Sequence, residues 1–266
     1  MRAFQLLRRG CWLLGVVAGL STSSAAPATA GPIRTLLVGD SITFGIVSEP
    51  DGPSWAELVS DELAASHEIV NVGASGTSAF YWAPSTPCPG ICSGADNLFD
   101  DRATPELPAD VATLMLGTND AVGLFLDQPT SVDDWDGYMR EVLDGLFDGG
   151  AGTVLLMSSP DANLSDDAAS LILGYRDRID TICGEIADVV CGPDLATLLD
   201  PDTDFAAQDV HPNASGHAKI ADAVIASLRE IPEPSTGWLL GLGLLGAALL
   251  TRPEPPARFP HSTSSE

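Results

Sequence analysis

Residues 33–43 read Ile-Arg-Thr-Leu-Leu-Val-Gly-Asp-Ser-Ile-Thr, an apolar run that stops on a glycine and passes directly into polar, cap-forming residues. Its apolar side chains are consecutive rather than alternating, so a strand at 33–38 would be buried on both faces. Strands of that kind belong to parallel sheets covered by helices on either side. The stretch ends where such sheets collect ligands, beyond the carboxyl end of a strand.

Working outward, further short apolar runs appear at 68–72, 111–116, 153–157 and 188–190. Helical patterns separate them: Trp-Ala-Glu-Leu-Val-Ser-Asp-Glu-Leu-Ala-Ala at 55–65, a helix starting near Ser131, and longer ones over 166–186 and 214–228. Ser131 followed by Asp133 and Asp134 suits a capped first turn carrying negative charge. The alternation predicts an α/β fold, a three-layer α/β/α sandwich around a flavodoxin-like parallel sheet of about five strands. Between 73 and about 107 runs a Gly/Pro/Ser/Cys-rich stretch without periodicity, of a length that is usually functional.

Each of the first three strands ends in a small, glycine-bearing polar segment. These are Gly39-Asp40-Ser41-Ile42-Thr43, Asn71-Val72-Gly73-Ala74-Ser75-Gly76 and Gly117-Thr118-Asn119-Asp120, and Asp209-Val210-His211-Pro212-Asn213 stands just before the last helix. Singly each reads as an ordinary turn. In this order, at strand ends, they can share one mouth. The four blocks resemble those of the SGNH/GDSL hydrolases, a family of serine esterases and lipases, and the resemblance spans 33–230. It implies the SGNH hydrolase fold and ester hydrolysis without cofactor or metal, with Ser41 as nucleophile and His211 as base. It also implies three oxyanion donors, the backbone N–H groups of Ser41 and Gly73 and the side-chain amide of Asn119.

The family places an aspartate three residues before the histidine, where this chain has Gln208; Asp209 lies two before it. Three readings follow. Asp209 reaches the imidazole through a local backbone adjustment, or Gln208 or a backbone carbonyl fixes the tautomer of a Ser-His dyad, or the enzyme is impaired. Asp40, beside the nucleophile, is read as a structural hydrogen-bonding residue.

The 266 residues carry 12 Lys+Arg against 37 Asp+Glu, a formal net charge of -25. A nucleic-acid partner would need a basic footprint and is excluded. No Asp-x-Asp-x-Asp-Gly loop is present, so no dedicated metal site is expected. Residues 1–30 read as a secretory signal, with Arg2, Arg8 and Arg9 ahead of an apolar run at 11–20 and Ala28-Thr29-Ala30 before the cleavage point. The hydrolase domain is then expected over 31–230.

Residues 231–252 carry Pro232-Glu233-Pro234-Ser235-Thr236, the Leu/Gly-rich run 237–250 and Arg252, with a polar tail over 253–266. This segment resembles a PEP-CTERM sorting signal. It implies an exosortase-type processing partner, membrane contact through 237–250 and export to the bacterial cell envelope or extracellular matrix. A plain C-terminal anchor is the competing reading.

Signal removal leaves Cys88, Cys92, Cys183 and Cys191. Four cysteines in an exported chain permit three disulfide connectivities. The short-range solution, Cys88 with Cys92 and Cys183 with Cys191, is preferred over a zinc site, since no histidine lies near them in sequence. Phe80, Tyr81 and Trp82 beside the first pair suggest an aromatic rim suited to sugar faces or acyl chains alike. The matrix-associated sorting tail, not the rim, leads to the ester substrate being read as O-acetylated extracellular glycan. A lipase or thioesterase on acyl chains is the alternative, and a catalytically silent matrix-binding module stands as a reading of another class.

Overall fold

The computed structural model describes residues 31–49, 51–87 and 96–232. The two ends of the chain, including the apolar run 237–250, and the pair Cys88 and Cys92 lie outside the described residues. Among the described residues no helix is long and apolar enough to cross a membrane.

Five strands form one parallel sheet: β1 (Ile33–Gly39), β2 (His67–Asn71), β3 (Val111–Met115), β4 (Thr153–Leu156) and β5 (Val189–Cys191), in the order β2-β1-β3-β4-β5. The helices in chain order are α1 (Ser41–Phe44), α2 (Trp55–Leu63), α3 (Ala79–Trp82), α4 (Leu98–Arg102), α5 (Thr118–Val122), α6 (Val132–Asp148), α7 (Asp166–Glu185), α8 (Leu195–Leu198) and α9 (Ala214–Glu230).

The pleat explains why β1 is apolar at consecutive positions. Leu36 and Val38 face one core with Leu114, Leu156 and the buried sides of α6 and α7. Leu37 faces the other with Met115, Leu155 and residues of α2 and α9. Fully burying each such side chain contributes about 1.5–3 kcal/mol, so both faces of the central strands are committed. The three-layer α/β/α sandwich expected from the alternation is the architecture found.

The helices begin where the sequence supplies caps. Ser54 closes a capping box with Glu57 at the start of α2, and Ser131 accepts from the Asp134 N–H at the start of α6. The stretch 73–107, aperiodic in sequence, contains α3, α4 and a single 3-10 turn at Thr104–Glu106. These one-turn helices are too short to carry a periodic signal; burial of Tyr81, Trp82, Leu98 and Phe99 holds them in place. Cys183 on α7 is bonded to Cys191 on β5, with Cα atoms 5.6 Å apart.

Strand order sets the place for chemistry. The chain moves from β1 outward to β2 on one side and returns to β3 on the other, so the crossovers diverge between the carboxyl ends of β1 and β3. Crevices at such a divergence bind ligands in open α/β sheets.

Candidate active site

Ser41 is the first residue of α1, directly after β1. Asp40 caps this helix, its Oδ1 accepting the Ile42 N–H at 2.9 Å. The turn is tight because position 39 has no side chain: a Cβ there would lie 2.1 Å from Thr43 Oγ1 and 2.8 Å from the Met115 carbonyl. Ser41 is buried to 7% exposure at the rim of the crevice.

His211 comes from the loop before α9, and its Nε2 lies 2.9 Å from Ser41 Oγ. Its Nδ1 lies 2.8 Å from Asp209 Oδ1, which also accepts the His211 backbone N–H at 2.9 Å. The carboxylate that meets the imidazole is therefore two residues away, and Gln208 makes it possible. Gln208 adopts φ 66, a left-handed conformation rare for a residue with a Cβ. It turns the chain so that Asp209 reaches back to the ring. Asn163, itself at φ 58, donates from Nδ2 to the Asp209 carbonyl at 2.7 Å and holds that turn from outside. Burial pushes the Asp209 carboxyl up, but hydrogen bonds from the His211 backbone and imidazole outweigh it and hold the group below the usual aspartate range.

The loop bearing His211 is fastened by Asp204, fully buried, which accepts from the Asp200 N–H, Ser215 Oγ and Lys219 Nζ. Lys219, the one lysine of residues 31–230, is spent on this structural ion pair.

The oxyanion expectations divide. The Gly73 N–H donates to Asn71 Oδ1 at 2.9 Å, so it is already committed. What position 73 requires of its residue is lack of bulk, since a Cβ would lie 2.5 Å from the Phe44 backbone nitrogen. Gly76, three residues on, is buried at φ 77, and its N–H has no hydrogen-bond partner among the described residues. The Ser41 N–H is likewise without a partner among them. Asn119, on α5 after β3, donates from Nδ2 to the Thr77 carbonyl at 2.8 Å and only distantly, at 3.4 Å, to Asp40 Oδ2.

Two carboxyls are buried behind the serine. Burial pushes Asp40 up to about 7, with the Ile42 N–H opposing and the charge of Asp120 adding to the rise. Burial also raises Asp120, to about 6, against the N–H of Ala79, which it accepts on both oxygens. Asp120 thereby ties the block after β3 to the start of α3.

The aromatic rim differs from the sequence expectation. Tyr81 and Trp82 are core residues, Trp82 Nε1 donating to Thr77 Oγ1 at 2.9 Å; only Phe80 is half-buried. Exposed apolar residues follow two of the strand-end blocks: Phe44 closes α1 after Ser41, and Val122, Leu124 and Phe125 end and follow α5 after Asn119. Sequence reasoning passed over Gly76 and Asn163. The signal available for the first was Asn71 two residues before Gly73, the spacing of an Asx turn that consumes the Gly73 N–H.

A strand-ending serine, an imidazole on its hydroxyl and a carboxylate on that imidazole define a serine hydrolase constellation on an α/β sandwich. Residues 37–219 match the GDSL-like Lipase/Acylhydrolase family, and the chain belongs to that family of ester hydrolases. Residues 230–252 match the PEP-CTERM protein-sorting motif, which marks the chain for export to the cell envelope. No curated protein matches the chain.

Among solved structures, the fold is similar to that of an acetyl xylan esterase from Geobacillus stearothermophilus (19% identity, 73% of this chain and 93% of that one, TM-score 0.57). It is also similar to a carbohydrate esterase family 3 protein from Talaromyces cellulolyticus (20% identity, 74% and 97%, TM-score 0.57). A lipase from a goat rumen metagenome shares it at 15% identity, 73% and 96% coverage and TM-score 0.54.

Proposed function

We propose that this is an exported serine esterase that removes O-acetyl groups from extracellular polysaccharide. The observation that carries the hydrolytic part is the relay from Ser41 Oγ through His211 to Asp209, with contacts of 2.9 and 2.8 Å. A serine hydroxyl is a weak nucleophile unless a base accepts its proton in the transition state. Neutral His211 takes the Ser41 proton on Nε2 as Oγ bonds to the ester carbonyl carbon. Asp209 accepts from Nδ1–H, which fixes the tautomer and favours the imidazolium that forms.

The carbonyl oxygen becomes an oxyanion and needs donors aimed at it. The donors assigned here are the Ser41 N–H, the Asn119 amide and, in place of Gly73, the N–H of Gly76. Asn119 keeps its bond to Thr77 and gives the oxyanion the hydrogen now shared at 3.4 Å with Asp40. Collapse of the intermediate breaks the bond to the sugar oxygen, which leaves with the proton from Nε2. Water, deprotonated by the same imidazole, then releases acetate and restores Ser41.

Two observations support the glycan as the alcohol: the sorting motif at residues 230–252 and the carbohydrate esterases that share the fold. In the same reading an exosortase-type enzyme processes the tail, and residues 237–250 contact the membrane. A second reading, a lipase or thioesterase, is favoured by exposed Phe44, Val122, Leu124 and Phe125 after two of the strand-end blocks. An ester panel of graded acyl length on the purified protein, run beside acetylated glycan, decides. Acetate release from glycan with falling rates on longer acyl chains is the expected result, whereas a preference for long chains overturns the glycan reading. Labelling of the wild type by a fluorophosphonate, lost in Ser41→Ala, is expected of the esterase; a wild type that takes no label is a silent binding module.

A further inference from the structure

Beside the crevice, the loop that follows α5 and the start of α6 enclose an open pocket of about 350 Å³. That is within the roughly 300–1,000 Å³ typical of small-molecule sites. Its floor is a pair of half-buried rings, Phe80 from α3 and Tyr138 from α6, packed edge to face with centroids 5.4 Å apart. Around them stand Asp127, Gln128 and Asp134, all exposed. Asp134 accepts from Ser131 Oγ at 2.6 Å. Among the described residues the Tyr138 hydroxyl, the Gln128 amide and the Asp127 carboxylate have no hydrogen-bond partner, and no cationic side chain lines the pocket.

From this arrangement we infer that the pocket is a subsite for an uncharged sugar residue of the polymer whose acetyl group is cut at Ser41; the inference rests on the glycan reading above. A pyranose offers an apolar C–H face and a ring of hydroxyls that both donate and accept. Aromatic faces match the first, and a phenol, an amide and a carboxylate match the second. Burial and the negative charge of Asp134 and Glu141 raise the Tyr138 hydroxyl above its ordinary range, so it stays a donor at neutral pH. The carboxylates also repel fatty-acid carboxylates and acidic sugars, a repulsion that an uncharged sugar does not meet.

The pocket is joined rigidly to the reaction centre. Thr130, at its edge, donates its N–H to the Asp120 carbonyl at 2.9 Å, and the Asp120 carboxylate holds the N–H of Ala79, next to Phe80. Phe80 is four residues beyond Gly76, a separation of at most about 14 Å at ~3.5 Å per residue. From the same loop Phe125 packs its ring against Gly76, while its carbonyl accepts the Tyr81 hydroxyl at 2.8 Å. A glycan held at Ser41 can therefore lay another residue of the same polymer on the two rings.

The test compares acetylated xylo-oligosaccharide with p-nitrophenyl acetate, which has no sugar to place, on wild type, Gln128→Ala, Asp127→Asn and Tyr138→Phe. Loss of one sugar hydrogen bond is expected to lower kcat/KM on the oligosaccharide about tenfold, through KM, with p-nitrophenyl acetate unchanged within about twofold. Equal effects on both substrates, or none on either, overturn the subsite.

Chemical-shift titration of Ser41→Ala with unacetylated xylo-oligosaccharide separates this from the function itself. Shifts at Phe80, Gln128 and Tyr138 are expected, and binding elsewhere or none refutes the subsite even where deacetylation proceeds. A wild type inert on acetylated glycan, with the titration intact, would fail the glycan-esterase reading and leave the sugar site standing.

Discussion

His211 Nε2 lies 2.9 Å from Ser41 Oγ although 170 residues separate them in the chain. The contact exists because β1 delivers the serine at the centre of the sheet and α9, packed against α2, brings the end of the domain back over the same edge. His217, the fourth residue of α9, takes part in that closure: its Nδ1 accepts the Trp55 N–H at the head of α2, and its Nε2–H donates to the Ile46 carbonyl.

Replacement of single members of this relay has an expected order. Ser41→Ala and His211→Ala are expected to lower kcat by at least about 10³-fold, and Asp209→Asn by about 10²- to 10⁴-fold, because an asparagine cannot hold the required tautomer or offset the imidazolium charge. Gln208→Ala is expected to stay within about threefold of wild type, since its contribution is a backbone angle. Steady-state kinetics on p-nitrophenyl acetate checks the series; Gln208→Ala falling further than Asp209→Asn would reverse the assignment.

Asn119 and Gly73 are expected to fail differently. Asn119→Ala removes a donor and is expected to cost about 10²- to 10³-fold in kcat with KM little changed. Gly73→Ala drives a Cβ to 2.5 Å from the Phe44 nitrogen, so it is expected first to lower the melting temperature. Thermal unfolding measured beside kcat separates the two; a Gly73→Ala protein of normal stability that lacks only turnover would return the donor role to position 73.

The buried Asp40 sets a pH dependence of known sign. Its carboxyl rises in the fold from the ordinary 3.8 to about 7, so the native state binds the extra proton. Its contribution to stability is full below about pH 3.8 and is lost as pH rises to about 7. Asp40→Asn is therefore expected to gain melting temperature relative to wild type across that window. Parallel wild-type and Asp40→Asn curves of melting temperature against pH would contradict the burial.

His217 acts in the opposite direction. Burial lowers it below the ordinary 6.5, with the Ile46 carbonyl opposing, so its neutral form is the native one. Its contribution is full above pH 6.5 and is lost as pH falls below that value. His217→Gln is expected to be less stable than wild type at pH 8, and the difference is expected to narrow on acidification below 6.5. Melting curves at several pH values check this, and a gap that widens on acidification would be the wrong sign.

The Cys183–Cys191 bond closes a loop of eight residues, for which chain-entropy arguments give about 2–3 kcal/mol. Cys183→Ala/Cys191→Ala is expected to lose stability of that order in urea titration and to keep esterase activity, because the bond ties α7 to the sheet edge away from Ser41. Loss of activity in a folded double variant would link that edge to the site.

What the sequence alone determined was whatever a short window encodes. Consecutive apolar residues in 33–38 required burial on both faces, the alternation of runs required a layered parallel sheet, and Ser41, Asn119 and His211 stood in turns at the ends of elements. Ser131 marked a helix start because capping is settled within one turn. Tertiary structure alone decided which groups around the serine are free and which are spent. Asp209 meets the imidazole because Gln208 takes φ 66 with Asn163 bracing the turn, and Asn163 lies 46 residues from the carbonyl it holds. Tyr81 and Trp82 sank into the core while Phe80 met Tyr138 from another helix. Periodicity and caps are read from neighbours in the chain, whereas a backbone angle paid for by a distant amide, or a ring pair from two helices, is fixed only when the layers pack.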